Sequence, residues 1–229
     1  MFDTITTVLE GTVEYKEYLQ NGWNAATISA AFMVLFTFPE IWGIRAQAKT
    51  IERERNGDSV SNVMFMYGLS FFFVCAVFGL HNKSAAMVFN AVLTGLPQVF
   101  VLAALLKYKG FSRTEYILAG IFTCMPVWEY YTPYKSESYL VMSFGFWYAF
   151  GAQLKELWSA GKTGALDIRL MSVYLGASSA WTVFVFQGND LYFKISQIGV
   201  ITLITAIFCL WWIWWWRERR LRLRAHPTT

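Results

Sequence analysis

The chain has 229 residues, of which 56% are hydrophobic, 19% aromatic and only 15% charged, with a formal net charge of +4, whereas an ordinary soluble domain is roughly a quarter charged. That balance excludes a water-soluble globular domain, and two histidines, His81 and His226, leave little for acid–base catalysis. The three cysteines, Cys75, Cys124 and Cys209, lie in apolar runs and read as small buried side chains, not as a disulfide framework or a zinc site.

In chain order, residues 1–22 are polar and lack the basic flank, short apolar run and cleavage site of a signal peptide. From about Trp23 onward the apolar pattern predicts seven transmembrane helices near 24–46, 60–80, 84–107, 115–132, 138–158, 167–187 and 191–216. Roughly 20 helical residues suffice to cross the hydrocarbon core. Basic residues recur after every second span, at Arg45 to Arg55, Lys107 to Arg113, Lys155 to Arg169 and in the tail from Arg217 to Arg224. Cytoplasmic loops carry such an excess, so the N-terminus is expected outside and the tail inside, in a plasma or inner membrane. The run Trp211 to Trp216 before that tail reads as an aromatic anchor at the headgroup level. The arginines that follow read as topology and lipid attraction.

The chain also repeats itself. Phe38-Pro-Glu-Ile-Trp-Gly-Ile-Arg45, Gly57-Asp-Ser-Val-Ser61, Phe78-Gly-Leu-His-Asn82 and Asn90 are followed in the same order by Gly151-Ala-Gln-Leu-Lys-Glu-Leu-Trp158, Gly161-Lys-Thr-Gly-Ala165, Phe184-Val-Phe-Gln-Gly188 and Gln197. Gly57 to Asn90 and Gly164 to Gln197 are the same distance apart, which predicts matching depths for the two amides. Three spans per copy and a lone fourth span make the copies parallel. The expected division is a segment 1–22, a first three-helix repeat 23–108, a linker helix 109–136, a second repeat 137–216 and a basic tail 217–229.

With these motifs in order over residues 30–216, the sequence resembles the PQ-loop, MtN3/saliva superfamily, and most closely the SWEET and SemiSWEET sugar transporters. The resemblance implies an all-α, seven-helix 3+1+3 membrane fold and passive, uniporter-type alternating access for a small polar solute, a sugar first. It implies a substrate site of Asn90, Gln197, Trp181 and Cys75, with the amides bonding the solute and Trp181 covering its apolar face. Pro39 and Glu40 stand as hinge and gate. Glu40 takes the place of the family's glutamine, and the nearby Arg45 predicts an ion pair at the cytoplasmic rim. Glu129 is expected to snorkel to water at the outer interface. Pro97 and Pro126 are expected kinks, and three of the family's four helix prolines are absent.

No metal, cofactor, nucleic acid or enzymatic activity is expected. The expected partners are the solute and the bilayer, and a second copy of the chain stands as a candidate. Two alternatives stay open: a PnuC-type transporter of nicotinamide riboside or thiamine, and a receptor or assembly subunit that kept the fold without transport. An uptake-competent protein should hold a pocket between Asn90 and Gln197. A receptor should have a closed interior.

Overall fold

Serines mark where loops end and helices begin. Ser61, Ser84 and Ser112 each accept a hydrogen bond from the backbone N–H three residues on, at 3.3, 3.2 and 3.3 Å, which satisfies one of the free N–H groups of a new helix. At Ser112 the bond is reciprocated, because Glu115 accepts from the Ser112 N–H at 2.7 Å. The computed structural model describes residues 25–187 and 191–225, with side chains over 27–186 and 191–221. The expected segment 1–22, Trp23, Asp190 and His226 lie outside the described residues.

Among the described residues the chain forms α1 (Ala25–Glu54), α2 (Asn62–His81), α3 (Ala85–Gly95), α4 (Gln98–Tyr108), α5 (Arg113–Tyr131), α6 (Lys135–Ala160), α7 (Ile168–Gln187) and α8 (Leu191–Ala225). The third expected span is divided at Leu96-Pro97 into α3 and α4. By contrast α1 and α5 run on as continuous helices through Pro39 and Pro126, although Pro39 has no N–H for the carbonyl of Leu35. Two helices outrun the predicted ends. In α1 the turns beyond residue 46 bury Gln47, Ala48, Thr50 and Ile51. In α8 the extra turns are rich in Arg and Leu, which are good helix formers in water.

Five stretches are long and apolar enough to cross a bilayer: Thr27–Glu54, Asn62–His81, Ala85–Tyr108, Ile168–Phe186 and Leu191–Leu221. The molecule is therefore an all-helical membrane protein. Its packing follows a definite order. The α3/α4 rod lies against both α1 and α2, whose backbones stay apart, and α8 likewise lies against both α6 and α7, whose backbones stay apart although Phe150 of α6 meets Tyr174 of α7 edge-on at 6.5 Å. Across the middle, α1 packs on α7 and α2 on α6, while α5 lies against α2 and an edge of α6.

Two apolar cores lie along this bundle, one around Phe65, Leu105, Phe150, Leu157 and Ile207, the other around Phe71, Phe78, Met87, Tyr139 and Phe193. The basic segments meet at the end nearer the first core. There Lys109 bridges Glu156 at 3.2 Å, Lys162 bridges Asp58 at 2.9 Å, and Glu218 accepts from the Thr163 N–H at 2.8 Å.

Cys75 is buried, but Cys124 and Cys209 are exposed on the bundle's outer face, which corrects the expectation that all three are buried. Hydrocarbon chains are as apolar as a protein core, so an apolar run does not distinguish a lipid-facing side chain from an interior one.

Candidate binding site

At the basic end, two glutamines tie the halves together through backbone atoms. Gln47 of α1 donates from Nε2 to the Ala165 carbonyl at 2.7 Å and accepts at Oε1 from the Asp167 N–H at 2.8 Å. Gln153 of α6 donates to the Ser59 carbonyl at 2.5 Å and accepts from the Ser61 N–H at 2.8 Å. Each member of the first set lies 106 residues from its counterpart in the second. Both glutamines are fully buried, where such two-armed bonds leave no backbone group unmet.

Beside the first clamp, Thr50 donates to Asp167 at 2.7 Å and Arg169 donates to it at 2.7 Å. Burial pushes the Asp167 carboxyl up, but these bonds outweigh it and hold the group below the usual carboxylate range.

Beyond the clamps lies a cavity with about 80 Å³ open to the centres of water-sized spheres, room for several waters. All four residues of the expected substrate site line it: Asn90 from α3, Gln197 from α8, Trp181 from α7 and Cys75 from α2. Glu40 lines it too, whereas Pro39 does not. The cavity is thus bounded by side chains from both sides of the bundle.

Glu40 corrects the expectation of a rim ion pair. It is 4% exposed, and its Oε2 accepts from Asn90 Nδ2 at 2.5 Å and Thr94 Oγ1 at 2.9 Å. Arg45 is exposed instead. Five residues of α-helix carry a side chain roughly 140° past one full turn, so Glu40 lies on the inward face of α1 and Arg45 on an outward one.

Asn90 Nδ2 also lies 3.1 Å from Thr37 Oγ1. On the other side Ser196 donates to Ser143 at 2.6 Å, and these two are again 106 residues from Asn90 and Thr37. Gln197, one position further on, donates instead to the Ser178 carbonyl at 2.9 Å and sits 3.2 Å from Thr182 Oγ1. The two amides therefore face one cavity without making equivalent bonds. Trp147 holds this part of α8 in place: its indole N–H donates to the Ser196 carbonyl at 3.1 Å and its ring fills the space where a side chain on Gly199 would project.

Most of the rest of the lining is aromatic and was not foreseen. Trp181 meets Phe193 edge-on at 6.1 Å between ring centroids, Phe193 meets Tyr139 at 5.3 Å, and Tyr139 meets Phe71 at 5.4 Å. The series continues from Phe71 through Phe146 to Phe150, at 4.6 and 4.7 Å. Cys75 Sγ lies 3.7 Å from Tyr139 Oη. The 106-residue spacing was the signal available in the sequence, since it pairs Ala46-Gln47 with Ala152-Gln153 and Asn90 with Ser196.

Glu129 also departs from expectation. It is 0% exposed, with its own backbone carbonyl bonded to the Lys135 ammonium. Placed where α5 leans on α2, its carboxyl is enclosed by protein instead of reaching water. In the tail, Arg217, Arg219 and Arg220 lie over the rings of Trp214, Trp215 and Trp216 at 5.3, 5.2 and 6.0 Å.

Comparison of the chain with protein-family models, with curated proteins and with solved structures returns no match.

Proposed function

We propose that the protein is a passive, alternating-access transporter of a small polar solute, with a sugar as the first candidate. The observation that carries this reading is the cavity itself, lined by Asn90 and Cys75 from one side and by Gln197 and Trp181 from the other. A receptor that had abandoned transport would have no need of a polar-floored pocket at the meeting of six helices.

The same reading takes the chain as a 3+1+3 repeat. In its support, the rod after α2 separates α1 from α2 just as α8 separates α6 from α7, and the glutamine clamps recur at one spacing. The basic end is then the cytoplasmic gate, held closed by the clamps, and α5 is the linker that makes the copies parallel. Rocking of the two three-helix units would break those four backbone bonds and open the cavity inward. Pro39 directly precedes the cavity-lining Glu40 on α1, where a missing ladder bond lowers the cost of bending.

The aromatic lining favours one further cargo, a flat heteroaromatic ring of the nicotinamide riboside or thiamine kind, which would stack on Trp181. Uptake of radiolabelled sugars, nicotinamide riboside and thiamine into proteoliposomes tests both readings. Saturable uptake that is lost in Asn90→Ala and Trp181→Ala is expected, and absence of uptake for every solute would return the weight to a receptor or assembly subunit.

A further inference from the structure

Resting on that transporter reading, we infer that the cavity takes an organic cation, with the carboxylate of Glu40 as its counter-ion and the aromatic rings as its wall. Glu40 is buried within the apolar span of α1, and among the described residues no lysine, arginine or histidine forms an ion pair with it. A carboxylate in such surroundings is costly without a positive partner. Asn90 and Thr94 supply hydrogen bonds to Oε2 only. No described side chain bonds Oε1, and Glu40 is part of the cavity lining. The protein therefore fixes the acid from one side and leaves the other side for a ligand.

The remaining surfaces are of the kind that holds a cation. Phe71, Tyr139, Trp181 and Phe193 line the cavity and contact one another edge to face or tilted. Aromatic faces attract ammonium groups, most strongly where water is excluded. Phe146, which stands 106 residues after Glu40, lines the same cavity, so the acid of one side is matched by an aromatic ring on the other. Asn90 and Gln197 can bond a hydroxyl or N–H on the same ligand.

The test uses the full chain in detergent micelles and in proteoliposomes, with methylammonium, tetramethylammonium, ethanolamine and choline as probes and dimethylbutanol as the uncharged isostere of choline. At least one ammonium probe is expected to raise the unfolding temperature and to enter vesicles saturably, with dimethylbutanol inert. Glu40→Gln should weaken that binding tenfold or more, while Glu40→Asp, which keeps the charge, should retain part of it. Trp181→Phe should bind more weakly than the wild type and more tightly than Trp181→Ala. If a sugar is transported and no ammonium probe binds, the cation assignment falls and the transporter reading stands, whereas uptake of nicotinamide riboside or thiamine, both of them cations, that Glu40→Gln abolishes would support the assignment. Uptake of a neutral solute with a proton, abolished in Glu40→Gln, would overturn it in favour of a proton at Glu40. No uptake and no binding of any solute would remove both.

Discussion

The two clamps and the cavity beyond them differ in how faithfully positions 106 apart resemble one another. At the clamps Gln47 matches Gln153, and each grips a loop through the same pair of backbone atoms. In the cavity the correspondence fails residue by residue: Cys75 answers to Trp181, Asn90 to Ser196 and Glu40 to Phe146, all of them in the lining. Two anchors that each fix a connecting loop by its main chain can share one design. A pocket for a ligand without two-fold symmetry gains from difference.

The largest effect should come from removing both latches. Gln47→Leu with Gln153→Leu strands four buried backbone groups, each worth about 1 kcal/mol or more when left unmet, so the double variant should lose about 4 kcal/mol or fail to hold its fold in thermal unfolding. The single variants should lose similar amounts, and a large inequality between them would break the comparison. Next, Gly199→Leu installs at α8 the residue found at position 93. Even a Cβ at Gly199 would run into the indole ring of Trp147, and overpacking of this kind costs about 1–3 kcal/mol. The reverse change, Leu93→Gly, should show no such clash.

Thr50→Val should cost about 1 kcal/mol by removing one of the bonds that lower the Asp167 carboxyl. Because that carboxyl is depressed in the folded protein, its contribution is present above the ordinary Asp value of about 3.9 and fades as pH falls below it towards the folded value. Unfolding temperature measured against pH should therefore drop on acidification in the wild type and drop less steeply in Thr50→Val. The smallest effect is expected from Ser196→Ala, about 0.6 kcal/mol for one interhelical bond in a membrane protein, with uptake specificity altered more than stability. Asn90→Ala should exceed it, since it also strips a donor from Glu40.

Much of the helical layout was legible. Continuous apolar runs located the described helices to within a few residues at most ends, because backbone groups in lipid must be bonded within the segment. The far ends of α1 and α8 were missed, since there the helices continue past the apolar run on charged residues with high helix propensity. The site was legible in part. Asn90, Gln197, Trp181 and Cys75 do line one cavity, but the inward turn of Glu40 and the aromatic wall from Tyr139 and Phe71 were not visible, because which face of an apolar helix meets protein and which meets lipid leaves little mark on composition. Cys124 and Cys209 were misread for the same reason.

The clamps grip main-chain atoms, and every residue carries those atoms. At Ser59 and Ala165 the partner is a carbonyl that any substitution preserves, and at Ser61 and Asp167 it is an N–H that any residue except proline supplies. The clamps alone therefore set no side chain at these four positions; what constrains Ser61 and Asp167 is other work, the cap on α2 and the bonds from Thr50 and Arg169. Proline at position 61 or 167 is the substitution that this tolerance does not cover.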